Sequence, residues 1–312
     1  MKNSQKLVIG IDGGGTKTAG ILSDLDGRVL NKAQIGSTNP NKIGYDQAVL
    51  NLKTLISVLT KNYSKKSISL VYLGLAGGLE RDKMKKEKIK KNLEDFFNFP
   101  IIVEGDQKIA FRANSNSKDG VLIIAGTGSI AIGWREKKEA ISGGWDWLLG
   151  DQGSAFWIGK TAIEKAIKSF DGRENKFLKL QKEIFKYFGI KEASDLYNIF
   201  YCQNFVEKIA SIAKLVDLLA NSKNKESIDI LKEAGKELAK MGIAVIKELS
   251  FQKEKFSLVF SGKVFKSKIV LNEVKAEIKR NAPKAEFILA KNEPVCGAVK
   301  LAIEEIKRAK SI

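Results

Sequence analysis

The chain carries one local plan twice: a buried apolar strand, a turn of glycines and hydroxyl residues, then a second strand. The first copy is IDGGGTKTAGIL at 11–22 and the second is IAGTGSIAIGW at 124–134. Each copy opens one half of the chain. The pattern therefore predicts two α/β halves of similar design, each starting with a β-hairpin. In the first copy the apolar run Leu7–Ile11 reads as a strand that ends in Asp12. Gly13, Gly14 and Gly15 let the backbone turn sharply and bring its N–H groups within reach of a ligand, because no Cβ stands in the way. Asp12 can sit near a metal ion. Thr16 and Thr18 add hydroxyl donors on either side of Lys17. These are the parts of a phosphate-binding turn, and an ordinary glycine-rich hairpin is built from the same parts.

Two better-known glycine motifs fail here. A P-loop needs Gly before its Lys, and Lys17 follows Thr16. A dinucleotide fingerprint opens a helix, whereas the residues after Gly15 read as a hairpin with a DLDG turn at 24–27. Gly126-Thr127-Gly128-Ser129 is a second glycine-hydroxyl turn, readable as a plain hairpin or as a second phosphate loop. Two such turns facing each other could hold a polyphosphate from both sides.

Between and after the hairpins, strands are expected at 70–74, 101–104, 258–261 and 285–289, with a long helical stretch over about 153–250 and a last helix at 294–309. The 312 residues are 44% hydrophobic, ample for a core of one large or two ordinary domains. No apolar run approaches the roughly 18 residues of a membrane span. MKNSQK leads straight into the first strand, so a signal peptide is not expected. Only Cys202 and Cys296 occur, outside any CxxC pattern, which disfavours a disulfide scaffold or a zinc site and makes the cytoplasm the default compartment. The net charge of +18 is spread along the whole chain without interleaved aromatics, so a solvated surface is expected rather than nucleic-acid binding. There are no histidines, so a proton acceptor would be a carboxylate.

Several other residues carry candidate chemistry. Asp106 follows the strand at 101–104 and reads equally as a general base or as a helix N-cap. GGWDWLLGDQGS at 143–154 packs glycines, tryptophans and acids into one loop. Gly144, Trp145 and Asp151 could wall a sugar, or the loop could simply anchor the core. Asn39 in STNP suits a sugar hydroxyl or acetamide, and the same four residues make an ordinary turn. Gly262, after a buried strand, admits a flat ligand or phosphate beside a helix start.

Taken in order, DGGGTKT (12–18), STN (37–39), GD with Ala110 (105–110), AGTGS (125–129), GGW (143–145), GDQGSAFWIG (150–159) and SGKVF (261–265) resemble the BadF/BadG/BcrA/BcrD ATPase family, in its N-acetylglucosamine kinase branch, within the actin/hexokinase-like sugar kinases. The resemblance runs from residue 7 to about 304. It implies two ribonuclease-H-like domains flanking an interdomain cleft. The expected division is 1–117, joined by the C-terminal helix 294–312, and 118–293 with a helical insertion. It also implies ATP and Mg²⁺, the latter held by Asp12 mainly through water. Gly13, Gly14, Gly15, Thr16, Lys17 and Thr18 would hold the β- and γ-phosphates, Thr127 and Gly128 the second phosphate turn, and Gly262 the adenosine. Asp106 would be the base for a sugar 6-hydroxyl, with Asn39, Ser129, Gly144, Trp145 and Asp151 lining the sugar.

The activity this implies is phosphorylation of an amino sugar, with N-acetylglucosamine favoured and N-acetylmuramic acid as a further acceptor. The alternatives are a glucosamine kinase and an ATPase activator subunit of an acyl-CoA dehydratase or reductase. A homodimer is the family expectation, without nucleic acid or membrane partners. A regulator with an added DNA-binding domain is not expected, because the phosphate strand begins at residue 7. Two departures bear on the sugar. Gln152 stands where the family usually has Glu, and Asp146-Trp147 follow GGW where many relatives have small or polar residues.

Overall fold

The structure, a computed structural model, describes residues 6–79, 81–174, 177–200 and 202–309. Residues 1–5 of the expected lead-in and 310–312 of the expected last helix lie outside the described residues. The chain divides into two units, Met1–Asn116 with Ala290–Ile312, and Ser117–Leu289.

In chain order the elements are β1 (Leu7–Gly13), β2 (Thr18–Asp24), β3 (Val29–Ile35), α1 (Pro40–Ile43), α2 (Tyr45–Thr60), β4 (Ile68–Leu75), α3 (Lys83–Phe97), β5 (Ile101–Gly105) and α4 (Asp106–Asn114). There follow β6 (Gly120–Ala125), β7 (Ser129–Arg135), β8 (Lys138–Gly143), α5 (Asp146–Leu149), α6 (Ala155–Phe170), α7 (Leu178–Phe188), α8 (Tyr197–Phe200), α9 (Phe205–Asn221) and α10 (Lys225–Glu248). The chain closes with β9 (Phe256–Ser261), α11 (Lys268–Asn281), β10 (Ala285–Leu289) and α12 (Pro294–Ala309). Among the described residues no helix is long and apolar enough to cross a membrane.

The first unit is a five-stranded sheet in the order β3-β2-β1-β4-β5. β1, β2 and β3 pair antiparallel, while β4 and β5 run parallel to β1. The alternation of β1 explains its layers. Leu7, Ile9 and Ile11 point into a core shared with Leu52, Leu55 and Ile56 of α2 and Ile89 and Leu93 of α3. Val8 points the other way, against Val295, Ala298 and Val299 of α12. This is the period-two signature of a strand buried on both faces. The start of α3 is fixed by Asp82, whose carboxylate accepts the N–H of Lys85 at 2.8 Å.

The second unit repeats the topology. Its sheet runs β10-β9-β6-β7-β8, with β6, β7 and β8 antiparallel and β9 and β10 parallel to β6. The helices between β8 and β9 form the insertion, and α6, α9, α10 and α11 bury one large core against Val121, Ile123 and Phe260. Three antiparallel strands followed by two parallel ones, in both units, is the ribonuclease-H-like design.

Candidate active site

The site residues of the first unit gather where its parallel strands end. Cross-strand register aligns Asp12 with Gly74, and Gly74 with Glu104. Gly13 aligns with Leu75, and Leu75 with Gly105. Asp12 and the residue preceding Gly105 are thus two strand spacings apart, about 10 Å. Carboxyl ends of parallel strands are where open α/β sheets bind ligands.

The glycine turn is shorter than the sequence suggests. β1 continues through Asp12 and Gly13, which pair with Ala19 and Thr18, so the turn itself is Gly14–Lys17, closed by the Gly14 N–H donating to Lys17 O at 3.0 Å. Residues 37–39 hold it from behind. The Thr38 N–H and the Ser37 hydroxyl both donate to Gly14 O at 3.2 Å. Thr18, expected to offer a hydroxyl to phosphate, is fully buried, and its Oγ1 lies 2.9 Å from Thr38 Oγ1. Either hydroxyl can donate in this pair, which seats Thr18 in the frame behind the turn. Thr16 and Lys17 are exposed.

Asn39 caps α1 through Oδ1, which accepts the Asn41 N–H at 2.9 Å. Its Nδ2 faces the turn, 3.7 Å from where a Cβ on Gly15 would stand. Asp106 is half-buried and is the first residue of α4, not its cap, a place taken by Gly105. Of the two sequence readings of Asp106, the N-cap is therefore not what the fold uses. In the first helical turn its carboxylate is favoured by the helix dipole.

Asp12 is a partly buried carboxylate whose pKa rises from 3.8 to about 6, first because burial removes water from the charge, with Lys17 opposing and Glu293 adding to the rise. A carboxylate so short of compensation fits a cation. Among the described residues no group of three or more acidic, Cys or His side chains could hold a metal ion. One protein carboxylate with water and phosphate oxygens completing the shell is the usual pattern for Mg²⁺, not for a metal held wholly by protein.

In the second unit Gly126, Thr127 and Ser129 of the 126–129 turn are bonded to the segment that leads into and starts α6. The Ser129 N–H donates to Asp151 Oδ1 at 3.0 Å, and the Ser129 hydroxyl donates to Gln152 O at 2.8 Å. The N–H groups of Ala155 and Phe156 donate to Gly126 O and Thr127 O at 2.9 and 3.2 Å. Ser154 is the N-cap, its Oγ accepting the Trp157 N–H at 3.1 Å. The first amides of α6 therefore bind the turn's carbonyls. They are not turned toward a ligand.

Two glycines are dictated by close approach. A Cβ on Gly128 would stand 2.5 Å from Asp151 Oδ2. A Cβ on Gly262 would run into Ala125 O at the end of β6, and its φ of +110° is one that side chains avoid. Gly262 thus lies against the root of the same turn.

The GGW loop is tied in as well. The Gly144 N–H donates to Ser129 O at 2.9 Å. Trp147 packs edge-on to Phe205, with centroids 5.0 Å apart, while Trp145, Leu148 and Leu149 are exposed. Ser129, expected to line a sugar, is buried, and its hydroxyl, donating to Gln152 O, braces the loop. Asp151 is 7% exposed and holds a left-handed backbone at φ +57°. Burial raises its pKa, the Ser129 N–H opposes that, and Asp146 adds to the rise. Asp146 is itself left-handed at φ +68°, its Oδ1 accepting the Trp147 N–H at 2.6 Å. Sequence reasoning missed the whole exchange between 126–129 and 151–156. The one available signal was that both segments are rich in small hydrogen-bonding residues.

Two ribonuclease-H-like sheets, each with a glycine turn on its first hairpin, define the actin-like sugar kinase fold class. In agreement, a solved Chromobacterium violaceum structure, described as a candidate N-acetylglucosamine kinase, superposes with a TM-score of 0.73 at 19% identity, covering 96% of this chain and 99% of that one. The chain belongs to the BadF/BadG/BcrA/BcrD ATPase family, whose model matches residues 9–302. It is 34% identical over 307 residues to the N-acetylmuramic acid/N-acetylglucosamine kinase of Clostridium acetobutylicum, covering 96% of this chain and 99% of that protein. It is 30% identical to the N-acetyl-D-glucosamine kinase of Dictyostelium discoideum, covering 97% and 100%.

Proposed function

We propose that the chain is an ATP-dependent kinase that phosphorylates the 6-hydroxyl of an amino sugar, N-acetylglucosamine first and N-acetylmuramic acid as a further acceptor. The observation that carries this reading is end-to-end similarity to two kinases named for those sugars. Both units are assigned a share in the reaction. Gly13, Gly14, Gly15, Thr16 and Lys17 take the β- and γ-phosphates, Thr127 and Gly128 the second phosphate contact, and Gly262 the adenosine. Asn39, Gly144, Trp145 and Asp151 take the sugar. Asp106 accepts the proton of the attacking hydroxyl, which a carboxylate can do because positioning and electrostatics dominate such transfer.

Asp12 would hold Mg²⁺ mainly through water. An ion held there would supply positive charge to offset that of the transferred phosphoryl group. A homodimer and a cytoplasmic location belong to the same reading. The exposed Tyr187, Tyr197 and Leu218 of α7, α8 and α9 offer apolar surface to a second copy. The test is coupled ATP turnover with glucose, glucosamine, N-acetylglucosamine and N-acetylmuramic acid. The two N-acetylated sugars are expected to be the best substrates. Turnover with none of the four would overturn the assignment, and turnover with glucosamine alone would move it to the alternative acceptor.

A further inference from the structure

Asp151 is placed among the sugar residues, yet its carboxylate bonds to the 126–129 turn. Its Oδ1 accepts the Ser129 N–H at 3.0 Å, and Ser129 closes the 126–129 turn. Its Oδ2 lies over Gly128, 2.5 Å from where a Cβ would stand. The carboxylate therefore spans the two residues that end the turn, and it does so from a buried position. Its own backbone is fixed too. Asp151 O accepts the Ser154 N–H at 3.1 Å, and the following residues Ala155 and Phe156 donate back to Gly126 O and Thr127 O. The Asp151 backbone is left-handed at φ +57°, a region that Asp enters more readily than most side chains but that a helix start does not itself require.

We propose that Asp151 is a positioning residue for the nucleotide: it holds the Gly126–Ser129 turn in its phosphate-binding shape through the Ser129 N–H, independently of any contact it makes with the sugar. The proposal rests on the reading of that turn as a phosphate loop. Asp151 would then be the physical link between the two substrates, one carboxylate serving the turn and the sugar loop. The Gly144 N–H donating to Ser129 O makes a second tie between the same two segments.

The separation is testable because Asn keeps an acceptor oxygen where Ala does not. MgADP affinity is measured calorimetrically on the full chain without sugar, for wild type, Asp151→Asn and Asp151→Ala. Sugar KM is measured alongside. Asp151→Ala is expected to weaken MgADP at least about tenfold, as a displaced positioning group does. Asp151→Asn is expected to bind MgADP within about threefold of wild type while its sugar KM rises at least about tenfold. Should Asp151→Ala fail to fold, Asp151→Gly serves in its place. Glycine is at ease at φ +57° and carries no acceptor, so the same loss of MgADP affinity is expected. Wild-type MgADP affinity in the variant that lacks the acceptor would overturn the proposal. So would equal losses in Asp151→Asn and Asp151→Ala, which would assign the effect to charge alone. A wild-type chain that binds MgADP but phosphorylates no sugar would overturn the kinase assignment and leave the nucleotide arms of this test standing. A wild-type chain that does not bind MgADP would overturn both.

Discussion

The hydroxyls of Thr18 and Thr38 lie 2.9 Å apart, both fully buried, directly behind the first glycine turn. The pair joins β2 to the segment that carries Asn39. The Thr18 side chain therefore belongs to the buried frame of the turn.

Thr38→Val leaves the Thr18 hydroxyl buried without its partner, at a cost of about 1–3 kcal/mol. Replacing both by Val removes the pair while keeping the shape, so the double variant should be more stable than the sum of the single ones. Denaturant midpoints of the four-protein cycle read this directly. The double variant should also keep MgADP affinity. If Thr18→Val abolished nucleotide binding without loss of stability, Thr18 would be a phosphate ligand after all.

Asp12 sets a pH dependence of its own. Folded and metal-free, it titrates at about 6, against 3.8 when unfolded, chiefly because it is buried. Between those values the folded chain holds the extra proton. Its contribution to stability is full below the unfolded pKa and is lost as pH rises through the folded one. Asp12→Asn carries no charge to bury. In EDTA its thermal midpoint should exceed that of wild type at about pH 7.5, and the two should converge near about pH 4. Mg²⁺ with nucleotide should then raise the wild-type midpoint more than the variant's. Equal midpoints in EDTA at the higher pH would show that the carboxylate is not desolvated.

The architecture was largely legible in the sequence because it is written in local patterns. Most strands among the described residues correspond to apolar runs, β3 (VLNKAQI) and β8 (KEAISG) being the polar exceptions, and the two hairpins with their glycine turns stand out by composition. What the sequence did not disclose depends on partners distant along the chain. β1 runs on through Asp12 and Gly13 because β2 supplies the pairing, although glycine disfavours strands. Nothing near Thr18 announces Thr38, twenty residues on. Asp151 and Ser154 are both good helix caps by type. The fold gives the cap to Ser154 because the Asp151 carboxylate is drawn to Ser129, 22 residues earlier. Asp106 could be a cap or a base on sequence grounds, and only the backbone shows Gly105 in the cap position.

Asp106, the proposed proton acceptor, stands at the N-terminus of α4, in the same sheet end as Asp12 and Gly13. The most direct measurement is kcat of Asp106→Asn with saturating MgATP and N-acetylglucosamine, with MgADP affinity measured in parallel. Asn keeps the size and the first-turn position of the residue but cannot accept the proton. A fall in kcat of about 10²–10⁴-fold, with MgADP affinity unchanged, is the expected result. An Asp106→Asn enzyme that phosphorylates the sugar at near wild-type kcat would contradict the account.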